Sequence, residues 1–412
     1  MRKKSHVAAA IFAASALVLG VGAMPATADS DTLIIWADDE RGKALKPVLD
    51  GKKYGGKTVE VTTFTSKTAL DTALQAATAS NGPDLVFAPV GESVTAAKSG
   101  KAQPFVLGAA AKANFPAAAI AYGQYKKQQY GLPLDIDSIA MIWNNKFGAP
   151  PTTFADFASR FQAAKASKKA SYGICASDGS WGSLPLITAL GGYTWGFNGS
   201  TANPADVGIN NTTFVNNLKR YALGSNGKGN GLIRVDGWDS CSPDWLKGKA
   251  MALVTGSWRI DATETAKIKY TITSVPTLNG TGSVKTLAGW GGIYITNFAK
   301  TNGKLAASQA FMNYMASTAG ANLYAATVNR PSPHKQVAAV QSKTLKGFAQ
   351  AMAKTATPQL NNLLGNNAGG SNYYDVLTDA WNRILVKGEN PSTVLNKAAK
   401  VLKKNFAAGA KE

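Results

Sequence analysis

Val59-Glu-Val-Thr-Thr-Phe64, a helical stretch over 66–80, and Asp84-Leu-Val-Phe-Ala-Pro89 follow one another, and this order decides the fold. The first and third are rich in the β-branched and aromatic residues that suit strands. Between them, Leu70, Ala73, Leu74 and Ala77 recur on one helical face. Strand, helix, strand is the unit of a parallel α/β sheet. The same alternation extends outward. Residues 33–37 read as a strand and 44–49 as helix-like, and further strands fall at 140–144, 250–255, 270–275 and 292–298. Helices follow over 305–315, 375–387 and 393–406, the last carrying Val394, Leu395, Ala398, Val401 and Leu402. There is no internal repeat, and the Gly/Asn/Ser stretches at 198–211, 224–231 and 365–372 are short enough to be loops.

A chain of 412 residues holds two domains of ordinary size, and 45% hydrophobic residues give each a core. Arg2, Lys3 and Lys4 precede an apolar run over 7–21 and then Ala26-Thr27-Ala28. That is the pattern of a secretory signal peptide over residues 1–28, with the mature chain starting near Asp29. The apolar run is too short to span a bilayer comfortably, and no cysteine follows it for lipid attachment. Every later apolar stretch is interrupted, so the expectation is a soluble protein exported across the cytoplasmic membrane, periplasmic or associated with the cell envelope. Export permits a disulfide between Cys175 and Cys241, the only cysteines; two unpaired thiols are the alternative. His6 and His334 are the only histidines, which removes His-rich metal sites and, with two cysteines, zinc modules and iron–sulfur clusters. No metal or cofactor is expected.

Three motif readings fail on context. Gly51-Lys-Lys-Tyr-Gly-Gly-Lys57-Thr58 fits a phosphate-binding loop letter for letter, but a strand follows it where the mechanism needs a helix. It reads as a surface turn. His334, between Pro333 and Lys335, reads as solvated in a polar loop, and no G-x-S-x-G elbow supplies a nucleophilic serine. The net charge is +20, or +17 without residues 1–28, yet the lysines are spread over separate helices and turns. Nucleic acid is therefore not an expected partner.

The aromatics point to a site. Trp181 lies in Ser-Asp-Gly-Ser-Trp-Gly-Ser, Trp258 in Thr-Gly-Ser-Trp-Arg, and Tyr373-Tyr374 in Gly-Gly-Ser-Asn-Tyr-Tyr. Each stands among small polar residues at a strand end or helix start, where α/β folds bind ligands. Glu40, Glu92 and Asp137 also stand beside strand ends. Flat rings with carboxylates suit a sugar, whose C–H faces stack while its hydroxyls hydrogen-bond.

The chain resembles the maltose-binding-protein family, the extracellular solute-binding proteins of ABC sugar importers. The markers are Leu33-Ile-Ile-Trp-Ala, Asn81-Gly-Pro-Asp-Leu-Val-Phe, Tyr130-Gly-Leu-Pro-Leu-Asp-Ile-Asp and Met141-Ile-Trp-Asn-Asn-Lys. Asp206-Val-Gly-Ile-Asn-Asn, the run from Leu246 to Trp258 and Val275-Pro-Thr-Leu-Asn-Gly follow in family order. The resemblance implies a two-lobed periplasmic-binding-protein-like fold, each lobe a mainly parallel sheet flanked by helices, joined by several hinge crossings. It implies an N-terminal lobe of 29–136 plus 288–330 and a C-terminal lobe of 137–287 plus 331–412. It assigns the loop carrying Asp38, Glu40 and Arg41 to sugar contact, Asp137 to a hinge carboxylate, and Trp181, Trp258 and Tyr374 to stacking on sugar rings. The chain departs from the maltose proteins at Ala88-Pro89, at Gly91-Glu92 and at Gly179, and Trp290 in Ala-Gly-Trp-Gly-Gly is a candidate replacement ring.

The expectation is a non-catalytic monomer that captures an oligosaccharide, of the maltose or maltodextrin type, between its lobes and passes it to an ABC permease. Two alternatives stay open: a binder of another disaccharide, a polyol or a glycerol phosphate, and a secreted glycan-active hydrolase using paired carboxylates.

Overall fold

The computed structural model describes residues 31–411 apart from Asp178, 199–200, Asp236, 282–283, Gln359 and 366–367. The signal-peptide reading at 1–28 lies outside the described residues. Within them no helix is long and apolar enough to cross a membrane.

Two main sheets organise the α/β chain. The first is eight-stranded and runs, edge to edge, Ala356–Pro358, Thr286–Thr296, Leu85–Pro89, Thr32–Ala37, Lys57–Thr63 and Lys53–Tyr54, with Ala102–Gln103 and Gly131–Ser138 also paired to Thr286–Thr296. The second is five-stranded, in the order Ile233–Arg234, Tyr172–Ala176, Ala250–Thr255, Ala140–Asn144 and Tyr270–Thr273. The opening strand–helix–strand unit forms as read: Lys57–Thr63 and Leu85–Pro89 flank Thr32–Ala37 in parallel, with Lys67–Ala76 between them in sequence. Ser66 caps that helix by accepting the Ala69 N–H.

The sheets are mixed, however, and not mainly parallel. Thr286–Thr296 runs antiparallel to Leu85–Pro89 and Gly131–Ser138, and Ala140–Asn144 runs antiparallel to both its neighbours. Each of these strands arrives directly from a strand of the other sheet, without the helical crossover that imposes a parallel direction. Several element boundaries also move. The strand read at 292–298 is the longer Thr286–Thr296, that at 270–275 stops at Thr273, and the helix read at 375–387 starts at Tyr373 and passes into a π-type turn at Asn382–Val386.

Alternation along the strands feeds opposite faces. Leu33, Ile35 and Ala37 join Phe87, Leu132 and Phe311 in one core, while Trp36 meets Val86 and Tyr294 in another. Trp143, Phe154, Phe157 and Phe161 fill the largest core, against the second sheet, together with the C-terminal helices Tyr373–Trp381 and Pro391–Gly409. Each such fully buried side chain stabilises the fold by roughly 1.5–3 kcal/mol. On the second sheet's other face Cys175 and Cys241 are disulfide-bonded, their Cα atoms 5.8 Å apart. Closing a loop of that length constrains the unfolded chain by about 4 kcal/mol in the entropic account.

Two local readings resolve on backbone geometry. Lys53–Tyr54 pairs antiparallel with Lys57–Thr58 around Gly55 and Gly56, both at positive φ, so the phosphate-loop match is a hairpin turn. His334, by contrast, is not solvated. The Lys335 N–H donates to the Asn114 carbonyl, which draws the segment inward and buries the imidazole edge-on against Phe115. Burial pushes its pKa down and keeps it neutral.

Candidate functional site

The loop leaving the strand Thr32–Ala37 ends at Asp38, which caps the helix Asp39–Leu49 by accepting the Arg41 N–H at 2.8 Å. The other Asp38 oxygen meets Arg41 Nη1 at 2.6 Å. Arg41 is buried, and its Nε donates to Tyr324 Oη at 3.1 Å. Tyr324 in turn donates to Asp135 Oδ2 at 2.5 Å, while Asp135 Oδ1 accepts the Gly291 N–H at 3.0 Å. Only glycine fits at 291, because a Cβ there would overlap the Asp135 carboxylate and the Arg41 guanidinium.

Arg330 extends this assembly. It follows Asn329, whose left-handed backbone ends the helix Thr318–Val328 and turns the chain inward. Its Nη2 lies 2.6 Å from Glu40 Oε2, and its Nη1 lies 3.7 Å from Asp135 and 3.9 Å from Asp137. Glu40 also faces Arg259 Nη1 at 3.7 Å. Among the described residues, four carboxylates thus meet three guanidinium groups.

The rings come from the second sheet. Ala250–Thr255 leads into Ser257–Arg259, and Tyr172–Ala176 leads through a short loop to Trp181–Ser183. These turns set Trp258 and Trp181 with centroids 5.7 Å apart, inclined at 45°. The Arg330 guanidinium sits 5.1 Å from the centroid of the Trp258 ring, a cation–π distance. Both tryptophans, and Tyr374, are partly buried against the second sheet's core. Tyr374 stands edge-on to the buried Tyr373 at 5.3 Å.

Burial dominates the electrostatics. It pushes the Glu40 carboxyl up against the opposing pull of Arg330 and Arg259. It also pushes Asp137 up, opposed by Arg330 and reinforced by the Asp135 charge. At Asp38 burial pushes up as well, but the Arg41 charge and amide, with Arg330, outweigh it and hold the carboxyl low. Glu40 and Asp137 remain partly accessible, with side chains 34% and 19% exposed, whereas Asp135 is fully covered. The accessible pair can accept hydrogen bonds, the guanidiniums can donate them, and the indoles present flat apolar faces.

Not every residue singled out from the sequence joins this assembly. Glu92 pairs with Lys67 at 2.6 Å in a groove beside Asp71 and Tyr294. Burial raises its carboxyl too, against the Lys67 charge. Trp290 pairs with Ile136, on the strand face opposite to Gly291 and Asp135, and meets Tyr122 at 5.1 Å with the rings tilted by 58°. Conversely, Asp135, Arg259, Tyr324 and Arg330 were not read from the sequence. Asp135 had a signal: with Asp137 at i, i+2 on one strand, the two carboxylates share a face. Arg259 directly follows Trp258. Arg330 and Tyr324 carried none, being brought in by tertiary packing. No group of His, Cys, Asp and Glu among the described residues is arranged to hold a metal ion.

The geometry now has comparators. The chain is 24% identical over 279 residues to the galactooligosaccharide-binding protein of Bacillus subtilis, covering 65% of each chain, just under two thirds of that relative. It is 24% identical over 338 residues to a maltooligosaccharide ABC transporter solute-binding lipoprotein of Streptococcus pneumoniae, covering 77% of each. It is 25% identical over 252 residues to the maltodextrin-binding protein MdxE of B. subtilis, covering 56% of this chain and 57% of that one. The model of the bacterial extracellular solute-binding proteins matches residues 51–356, so the chain belongs to that family.

Proposed function

We propose that this protein captures an oligosaccharide in a cleft between two lobes, one built on each main sheet, and delivers it to the membrane subunits of an ABC importer. The lobes would comprise 29–136 plus 288–330 and 137–287 plus 331–412. The observation that carries the reading is the pairing of Glu40, from the first turn of the helix that follows a first-sheet strand, with Arg259, which adjoins the tilted Trp258–Trp181 pair beside the second sheet. A ligand lying there touches carboxylates from one side and rings from the other. Glu40, Asp137, Arg259 and Arg330 are the proposed hydroxyl partners, and Trp181, Trp258 and Tyr374 the stacking surfaces. Asp38, Arg41 and Asp135 hold the others in place. The relatives named for galacto- and maltooligosaccharides support an oligosaccharide of a few units, with an α-glucan fragment preferred.

Each satisfied hydroxyl contributes about 1 kcal/mol net, so several hydrogen bonds plus stacking are needed for micromolar affinity. Calorimetric titration with maltotriose and with a galactooligosaccharide should give saturable binding to at least one of them. Chromatography of the recovered sugar should show it unshortened. Cleaved products would favour a glycan hydrolase instead, and binding confined to polyols or glycerol phosphate would replace the substrate class. Trp290→Ala should change the affinity by less than about threefold, since a ring on the far sheet face lies outside the proposed contact set. A larger loss in the same titration would bring Trp290 back into the site.

A further inference from the structure

A cavity of about 520 Å³ shares no residue with the Glu40–Trp258 assembly. It lies beside the hairpin of Gly196–Asn198 and Thr201–Asn203 and is lined by Thr188, Tyr193, Trp195, Phe197, Asp206 and Lys285, among others. Phe197 is 48% exposed, one of the few large apolar side chains on the described surface. Trp195 is 3% exposed, and its indole N–H has no hydrogen-bond partner among the described residues. That nitrogen is itself covered, so Trp195 lines the cavity through its ring and not through the N–H. The hydroxyl of Tyr193 donates to Asp206 Oδ1 at 2.8 Å, and the Thr188 hydroxyl accepts the Lys285 N–H at 2.9 Å, so the polar rim is held in place.

We infer that this cavity is a second carbohydrate-binding site, taking one pyranoside unit of a neutral glycan. Phe197 offers an exposed aromatic face for the C–H side of a sugar ring. Asp206 and Lys285 carry opposite charges, so the rim favours a neutral ligand that both accepts and donates hydrogen bonds. An aliphatic or lipid-like ligand would cover the rings but leave the carboxylate and the ammonium without partners. Its lining holds two charged side chains against the seven gathered around Glu40, so its binding is expected to be the weaker of the two.

The test uses the mature protein labelled with ¹⁵N at its nine tryptophans, with the Trp195 indole signal assigned by Trp195→Phe. Maltotriose is titrated into the millimolar range. The Trp195 indole signal should shift with its own saturation curve, weaker than the calorimetric event. In Phe197→Ala that curve should weaken by about fivefold or more, while Trp258→Ala leaves it in place. A Trp195 signal that stays still, or that shifts equally in Phe197→Ala, overturns the proposal. So does one that follows the tight event and vanishes in Trp258→Ala, which would report a change transmitted from the first site. Because the two sites are read by different signals, failure of the cleft reading would show at Trp258 and leave this result readable.

Discussion

Arg330→Ala is expected to lower folding stability by about 3–5 kcal/mol near neutral pH, the scale for removing one partner of a buried charge assembly. Arg330 is buried and faces Glu40, Asp135 and Asp137, so its loss leaves carboxylates in a covered site with only Arg41 and Arg259 opposing them. The pH dependence separates this cause from lost packing. Burial already raises the Glu40 and Asp137 carboxyls, and the Arg330 charge is the largest pull in the other direction on both. Without it both rise further. A carboxyl raised in the folded state contributes its stabilisation fully below its unfolded pKa and loses it as pH climbs through the folded value. The deficit of Arg330→Ala should therefore be greatest near neutrality and narrow as pH falls toward the carboxylate range. Urea unfolding of both proteins from about pH 7 to about pH 5 measures it. A deficit that stays constant across that window would mean the guanidinium acts through packing alone.

Trp258→Ala is expected to weaken oligosaccharide binding at least tenfold, about 1.4 kcal/mol or more. The ring is held from two directions, by Trp181 and by the Arg330 guanidinium, so it is fixed before a sugar arrives and little entropy is lost in stacking. Trp258→Phe keeps a smaller face and should recover part of the loss. The variant's thermal midpoint should fall less than that of Arg330→Ala, because the ring is only partly buried. Calorimetry that finds the affinity of Trp258→Ala unchanged removes the ring from the site.

The strand–helix–strand alternation was legible because it depends on local periodicity: 33–37, 59–64 and 84–89 all lie within a residue or two of the observed strands. Strand direction was not. Whether Thr286–Thr296 runs with or against its neighbours depends on where the chain comes from, and no local pattern encodes that. The site divides the same way. Glu40, Asp137, Trp181 and Trp258 flank strand ends, where a reader of sequence looks for ligands. Arg330 and Tyr324 act from a helix and its exit that become relevant only after the sheets pack. His334 shows the opposite failure, since its polar neighbours hid a long-range bond that buries it.

The most direct test is small-angle X-ray scattering with and without a saturating oligosaccharide chosen by calorimetry. If the ligand bridges carboxylates on one lobe and tryptophans on the other, only the closed form makes both sets of contacts, and ligand shifts the population toward it. The radius of gyration should fall on saturation, and fall less in Trp258→Ala at the same sugar concentration. Scattering that does not change while calorimetry shows the site full would contradict a cleft that closes around carbohydrate.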